Sequence, residues 1–449
     1  MKLFSRSGLL RWLTMIAIIA AMLLPTTVAF AGPGVTVDTF DDTQNVTRTG
    51  VGTEYGVVTG AGILGGERDL AVTVTTGGGA LTSDANVSLA SHFSHSQGSG
   101  VFGTTTITYD GTDGDATTLN PTGLQTGGVG VDLTSGGAYD ALFVLLRSDD
   151  WQASLKVTVY TDAIHCSSRS LTLPGGIPSS GVPKAIVFRY GDFTTDATCA
   201  SPASFSNVGA VVLLIDGTAN EATDITFSSF EAGALDYGDL PGGYKTNYSA
   251  TYTSSGPGHV ATDLYLGSQI DTETGASVAS LLANHDDNTG VDEDGIVRAN
   301  TPWADGANGG AVNVNVTGGD GCLMGWIDWA NDGGFDEEGD LVLDNVEVTT
   351  GTSLQQFTIP TGGACTDCSL YARFRLFPRD EGGHCTLTKT YMNQAYGGEV
   401  EDYLWNFGTT AVSLSSMHAG SAALPVAPIG LVVLGAAGGA VWWGKRRRG

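Results

Sequence analysis

LKVTVY (155–160) sets Leu155, Val157 and Val159 against Lys156, Thr158 and Tyr160, a period of two that fits a strand with one buried face. Short runs of this kind recur as LAVTVTT (70–76), TTTITY (104–109), AIVFR (185–189), AVVLLI (210–215) and ITFSSF (225–230), bounded by Gly, Asp or Ser clusters. Helical periodicity is almost absent, and 65 glycines supply turns. The pattern predicts an all-β chain of antiparallel β-sandwiches, and a length of 449 residues predicts two in tandem.

The ends read differently. Residues 1–31 carry Lys2, Arg6 and Arg11, then the apolar run Trp12–Leu24, then Ala29-Phe30-Ala31, the layout of a secretory signal peptide cleaved after Ala31. Near the other end, Leu424–Trp443 runs for twenty residues without a charge, and Lys445-Arg446-Arg447-Arg448 follows Gly444. Residues 424–444 are therefore expected to form a transmembrane helix and 445–449 a basic cytoplasmic tail, with 409–423 as a flexible linker. The rest is expected to be exported, in two domains, 32–233 and 234–408.

Seven of the 20 basic residues lie in these two ends, leaving thirteen in the exported part against 47 acids, a net of −34. Such a surface excludes nucleic acid and anionic lipid as partners, since both bind through clustered Lys and Arg. All six cysteines, Cys166, Cys199, Cys322, Cys365, Cys368 and Cys385, lie in the exported part, which reads as disulfides. The simplest scheme joins Cys166 to Cys199 and leaves two bridges in the second half, with their connectivity open. Zinc or redox chemistry at Cys365-x-x-Cys368 fits less well without a second such pair.

Between Asp286 and Asp344 fourteen carboxylates face a single basic residue, Arg298. In DDNTGVDEDG (286–295) and DWANDGGFDEEGD (328–340) they are interleaved with glycines, the pattern of loops that aim oxygens at calcium. The candidate ligands are Asp328, Asn331, Asp332 and Asp336 in one cluster and Asp286, Asn288, Asp292 and Asp294 in another. The segment is no EF-hand, because Ala330 and Gly339 occupy its third and twelfth positions. The competing reading is a solvated acidic surface.

The succession DYGDLPGGY (236–244), GHVATDLYLGSQIDTETG (258–275), DDNTGVDEDGI (286–296), GWIDWANDGGF (325–335), YARFRLF (371–377) and GGEVEDYLW (397–405) resembles the GEVED domain, a module of large secreted and surface proteins of bacteria. The resemblance implies a β-rich extracellular module without an assigned catalytic activity, commonly beside adhesive or sorting segments. In SLYARFRLF (369–377) Leu370, Ala372, Phe374 and Leu376 alternate with Tyr371, Arg373, Arg375 and Phe377. The two arginines are expected to pair with carboxylates such as Glu399 and Glu401 or to make surface ion pairs of little worth. Trp326, Trp329, Tyr403 and Trp405 are expected to pack in a core or between sheets rather than to stack on sugar.

Residues 32–233 resemble, more loosely, the jelly-roll-like sandwiches of bacterial exported proteins, on segments such as DTFDDTQ (38–44) and ITYDGTDGD (107–115). There Asp110, Asp113 and Asp115 offer a further oxygen site, or an Asp-Gly hairpin turn. His92 and His95, in a Gly/Ser-rich stretch, are expected to face solvent. No G-x-S-x-G, H-E-x-x-H or phosphate-loop motif is present. The tail resembles PEP-CTERM sorting signals, with Leu424-Pro425-Val426-Ala427-Pro428 in place of the Pro-Glu-Pro core. The expectation is a surface-displayed, calcium-stabilised, non-catalytic adhesion or structural protein meeting extracellular matrix, polysaccharide or surface-layer components. The alternatives are a carbohydrate-binding module protein and a secreted hydrolase.

Overall fold

In the strand Ser154–Tyr160 the expected alternation holds, with Leu155, Val157 and Val159 fully buried. They pair in register with Ile215, Leu213 and Val211 of Ala210–Asp216, and Leu213 in turn faces Ile107 of Phe102–Tyr109. These strands belong to a seven-stranded sheet ordered Thr194–Thr195, Cys166–Thr172, Ser154–Tyr160, Ala210–Asp216, Phe102–Tyr109, Glu67–Thr76 and Gly52–Thr59. Its inner face packs against a second sheet ordered Lys184–Arg189, Ala141–Asp149, Asp224–Gly233, Phe93–Gln97, Ala80–Ala85 and Gln44–Thr49, with Val35–Asp38 also pairing Asp224–Gly233. Each Val, Leu or Ile buried between the sheets contributes about 1.5–3 kcal/mol.

This is a computed structural model, and it describes residues 34–177, 183–246, 256–273, 279–284, 293–365, 367–380, 382–386 and 390–407. The expected signal peptide, linker, membrane span and basic tail lie outside the described residues, as do Asp286, Asn288 and Asp292. Among the described residues the fold is all-β, and no helix is long and apolar enough to cross a membrane.

Some strands, Ala141–Asp149 and Gly321–Ile327 among them, escape the period-two rule. Ala141–Asp149 is buried on both faces, as its nearly continuous apolar sequence ALFVLL requires. Leu142, Val144 and Leu146 enter the sandwich core, whereas Ala141, Phe143 and Leu145 are covered by Leu235, Tyr237 and Val260. Those covering residues sit on a small sheet of Leu235–Tyr237, Gly258–Val260 and Gln394–Tyr396, where the chain passes from its first half to its second.

The second half has its own interior. Gly306–Thr317 pairs with Tyr265–Leu266, Ile296–Ala299 and Gly351–Ile359, and this sheet faces another ordered Leu341–Val348, Gly321–Ile327, Ser369–Pro378 and Glu399–Asn406. Val312, Val314 and Val316 meet Leu323, Ile327, Phe374 and Leu376 there, with Tyr403 and Trp405 at one end. Trp326 lies on the opposite face of its strand, packed with Tyr244, Phe335 and Phe377, and Trp329 is half-buried against the main core. These aromatics therefore pack as expected.

The bridges are Cys166–Cys199, Cys322–Cys385 and Cys365–Cys368, which completes the scheme left open by the sequence.

Two expectations are corrected. Arg373 pairs with Asp402 rather than with Glu399 or Glu401, and Arg375 donates to His259 and to the carbonyls of Thr390, Met392 and Asn393. The register explains it: Arg373 stands opposite Asp402, whereas Glu401 stands opposite Phe374 and Glu399 opposite Leu376, so both glutamates lie on the other face. His92 and His95 are buried, not solvent-facing. Phe93–Gln97 is a strand whose Phe93 enters the core, so His95, two residues on, points inward as well and meets Thr105 Oγ1 at 2.8 Å.

Candidate metal centres

At the end of Gly321–Ile327 the chain turns at Asp328, which is fully buried. Its Oδ2 accepts from the Tyr244 hydroxyl at 2.6 Å and from the Gly333 N–H at 3.0 Å, and its Oδ1 accepts from the Asp332 N–H at 3.3 Å. Asp328 thus fixes the loop that follows. Asp340, also buried, accepts from the Glu337 N–H at 3.1 Å and closes the loop from its far side. Between them Glu337 approaches Asp332 and Asp340 closely enough that hydrogen bonding with these two carboxyls pushes it up to about 7. Of the residues singled out by sequence, Asp328 is buried and holds the Asp332 N–H, while Asp332, Asn331 and Asp336 are exposed. Glu337 and Asp340 complete the group and were not singled out.

Asp294, from the other candidate cluster, accepts from the Ser268 N–H and hydroxyl. The closing motif GEVED (398–402) has a structural reading residue by residue. Gly398 has φ +81°, and a Cβ there would lie 1.8 Å from the Leu376 carbonyl oxygen, so no other residue fits. Glu399 accepts from the Leu266 N–H. Glu401 accepts from the Gly295 N–H at 2.8 Å and the Tyr403 hydroxyl at 3.0 Å. Asp402 holds Arg373 through two oxygens at 2.7 and 2.6 Å and also accepts from the Leu240 N–H at 2.9 Å. Each acid of the motif ties a different stretch of chain to the last strand.

In the first half the carboxylates converge differently. On Glu67–Thr76, Arg68, Leu70 and Val72 face the core, so Glu67 and Asp69 lie on the outer face. Asp69 pairs with Thr108, and continuing that register brings Glu67 level with Asp110 on the same face. The loop after Asp110 folds back over them: Glu67 Oε1 accepts from the N–H groups of Asp113 and Gly114 at 3.0 and 2.7 Å, and Asp110 Oδ2 accepts from the Asn120 N–H at 2.6 Å. Glu67, Asp69 and Asp110 are consequently buried, and Asp113 is exposed at the mouth. Burial, then the charges of Asp110 and Glu67, push Asp69 up to about 7. The sequence pointed to Asp110, Asp113 and Asp115; Asp115 instead binds Thr117, and the missing members, Glu67 and Asp69, come from a neighbouring strand.

Residues 323–406 match the family model of the GEVED domain, and the chain carries that domain there. The match spans most of the sheet built on Gly321–Ile327 and is narrower than the stretch from Asp236 on which the motif order was read. No curated protein matches the chain. Among solved structures, the family 11 carbohydrate-binding module from Clostridium thermocellum in complex with a β-1,3-1,4-mixed-linked tetrasaccharide is 10% identical, covering 45% of this chain and 96% of that one at a TM-score of 0.23. The glycoside hydrolase domain of Endo-D from Streptococcus pneumoniae is 8% identical over 79% of this chain and 37% of that one, with a TM-score of 0.23. The β-1,2-glucanase from Parabacteroides distasonis is 7% identical over 85% and 39%, with a TM-score of 0.19. At such scores these likenesses assign neither ligand nor activity.

Proposed function

We propose that this chain is an exported, surface-displayed, non-catalytic protein of adhesion or surface structure whose second half is stabilised by calcium. The observation that carries the reading is the juxtaposition of Asp332, Glu337 and Asp340 in a loop whose sequence from 328 to 340 contains no Lys or Arg. A hard divalent cation relieves such a group by taking several oxygens at once, and Asp328 holds the loop in the shape that presents them. The non-catalytic part of the reading is supported by the GEVED match and by the closing acids, each engaged with backbone, arginine or tyrosine. Export and display are supported by the signal-like first 31 residues and by the apolar and basic segments near Gly449. The partner class is an extracellular polysaccharide, matrix or surface-layer component.

The test is thermal unfolding of the exported chain in millimolar calcium and in chelator. Calcium is expected to raise the melting point by mass action, and Asp332→Asn with Glu337→Gln to remove the part of that rise due to the second half. An equal rise in the variant would overturn the placement of the ion in this loop. Turnover of glycoside or ester substrates would overturn the non-catalytic reading.

A further inference from the structure

We propose that Glu67, Asp69, Asp110 and Asp113 form a second divalent-cation site, of calcium type, which fastens the loop after Asp110 onto the outer face of the first sandwich. It is separate from the loop at 328–340 and does not depend on that assignment.

Like charges directly opposed across a strand pair destabilise it, yet the register sets Glu67 level with Asp110 and places Asp69 on the same face. Both Asp69 and Asp110 are at least 97% buried, Oδ1 of each meets no N–H or O–H donor among the described residues, and the two carboxyls lie within hydrogen-bonding reach of each other. The acids acting on Asp69 are Asp110, Glu67 and Asp113, all of its own sign. A neighbouring position shows how this fold treats a buried carboxylate that has a protein cation. Asp38 receives Arg68 at 3.0 and 2.8 Å, the Tyr109 hydroxyl at 3.0 Å and the Phe40 N–H at 2.8 Å. Arg68 lies between Glu67 and Asp69 in sequence but projects from the opposite face, so its charge serves Asp38 directly. With no protein cation at hand, a shared proton or a bound cation must neutralise these buried carboxyls, and only a cation serves several of them at once.

The geometry suits one. Carboxylate oxygens of Glu67, Asp69 and Asp113 lie within 4.8 Å of one another. Calcium–oxygen bonds of about 2.3–2.6 Å allow ligand oxygens to stand up to about 5 Å apart across the ion. The donor set is all oxygen, which selects a hard cation over zinc or copper. The loop is already held over the strands through Glu67 Oε1 and Asp110 Oδ2, and a Cβ at Gly123 would lie 1.5 Å from the Asp110 carbonyl oxygen, so its backbone passes directly against the site.

Calcium bound per chain is to be counted by metal analysis after dialysis of the exported protein, alongside hydrogen exchange at the Asn120 amide. Asp69→Asn with Asp110→Asn should lose one calcium per chain, and calcium should protect the Asn120 amide in the natural protein but not in this variant. Asp115→Asn should keep the full count, and Asp332→Asn with Glu337→Gln should keep the protection at Asn120. If the double variant does not fold, Asp113→Asn, at the exposed mouth, should still weaken the calcium-dependent protection. An unchanged count in the double variant overturns the proposal, as does exchange at Asn120 that is indifferent to calcium. The latter is the result expected if Asp69 and Asp110 simply share a proton.

Discussion

Arg373 and Asp402 stand directly opposite each other on adjacent antiparallel strands, both buried, joined by two hydrogen bonds of 2.7 and 2.6 Å. The remaining guanidinium donors reach the Tyr244 and Tyr391 carbonyls and the Thr246 hydroxyl, each at 3.1 Å, so the arginine also fixes chain that belongs to neither strand. Removing one partner leaves an uncompensated buried charge. Asp402→Asn is expected to cost about 3–5 kcal/mol, read as a shift in the denaturant midpoint of the protein. Arg373→Lys should also destabilise, because an ammonium cannot reproduce the paired geometry.

His95 lies between the two sheets of the first half, and burial lowers it to about 4. Its unfolded value is near 6.5, so the unfolded chain takes up the proton first. The stability that neutral His95 contributes is complete above pH 6.5 and is lost as the pH falls toward 4, by roughly 3 kcal/mol in all. The buried His259, lowered by burial and by the Arg375 guanidinium, acts in the same direction. His95→Asn should flatten the acid limb of the stability profile. Equal acid limbs in variant and natural protein would show that another group controls it.

The bridges differ in the length of chain they close. Cys322–Cys385 spans 63 residues and Cys166–Cys199 spans 33, whereas Cys365–Cys368 spans 3. Loop-closure entropy predicts roughly 4 kcal/mol for each of the long ones and under half of that for the short one. Removing Cys322 and Cys385 together should therefore lower the melting point more than removing Cys365 and Cys368. Alkylation without reduction should find no free thiol.

Strands with one wet face were legible from alternation, as Leu155–Tyr160 shows, because period two is a direct consequence of the pleat. Ala141–Asp149 was not legible, since a strand covered on both sides has no polar face to mark it. Arg373 was correctly read as a carboxylate partner, but which carboxylate depends on register, and register is a pairing of distant strands; Arg375 instead meets His259 and backbone carbonyls. Asp110 and Asp113 could be read from a single run of sequence. Their companions Glu67 and Asp69 carry no local mark, because only the pairing with Phe102–Tyr109 brings them close. His95 was misread for a related reason, its strand being too short and too rich in serine to stand out.

The Val400 N–H donates to Asp236 at 2.8 Å, and the Leu240 N–H to Asp402 at 2.9 Å, so the stretch by which the chain enters its second half is fastened to the strand by which it leaves. A pull applied between residues 236 and 402 meets this clasp first. The sheets and loops of the intervening chain are shunted out of the line of tension until these links, and the buried Arg373 beneath them, give way. A module closed in this manner can transmit a stretching force from one end to the other while its interior stays folded.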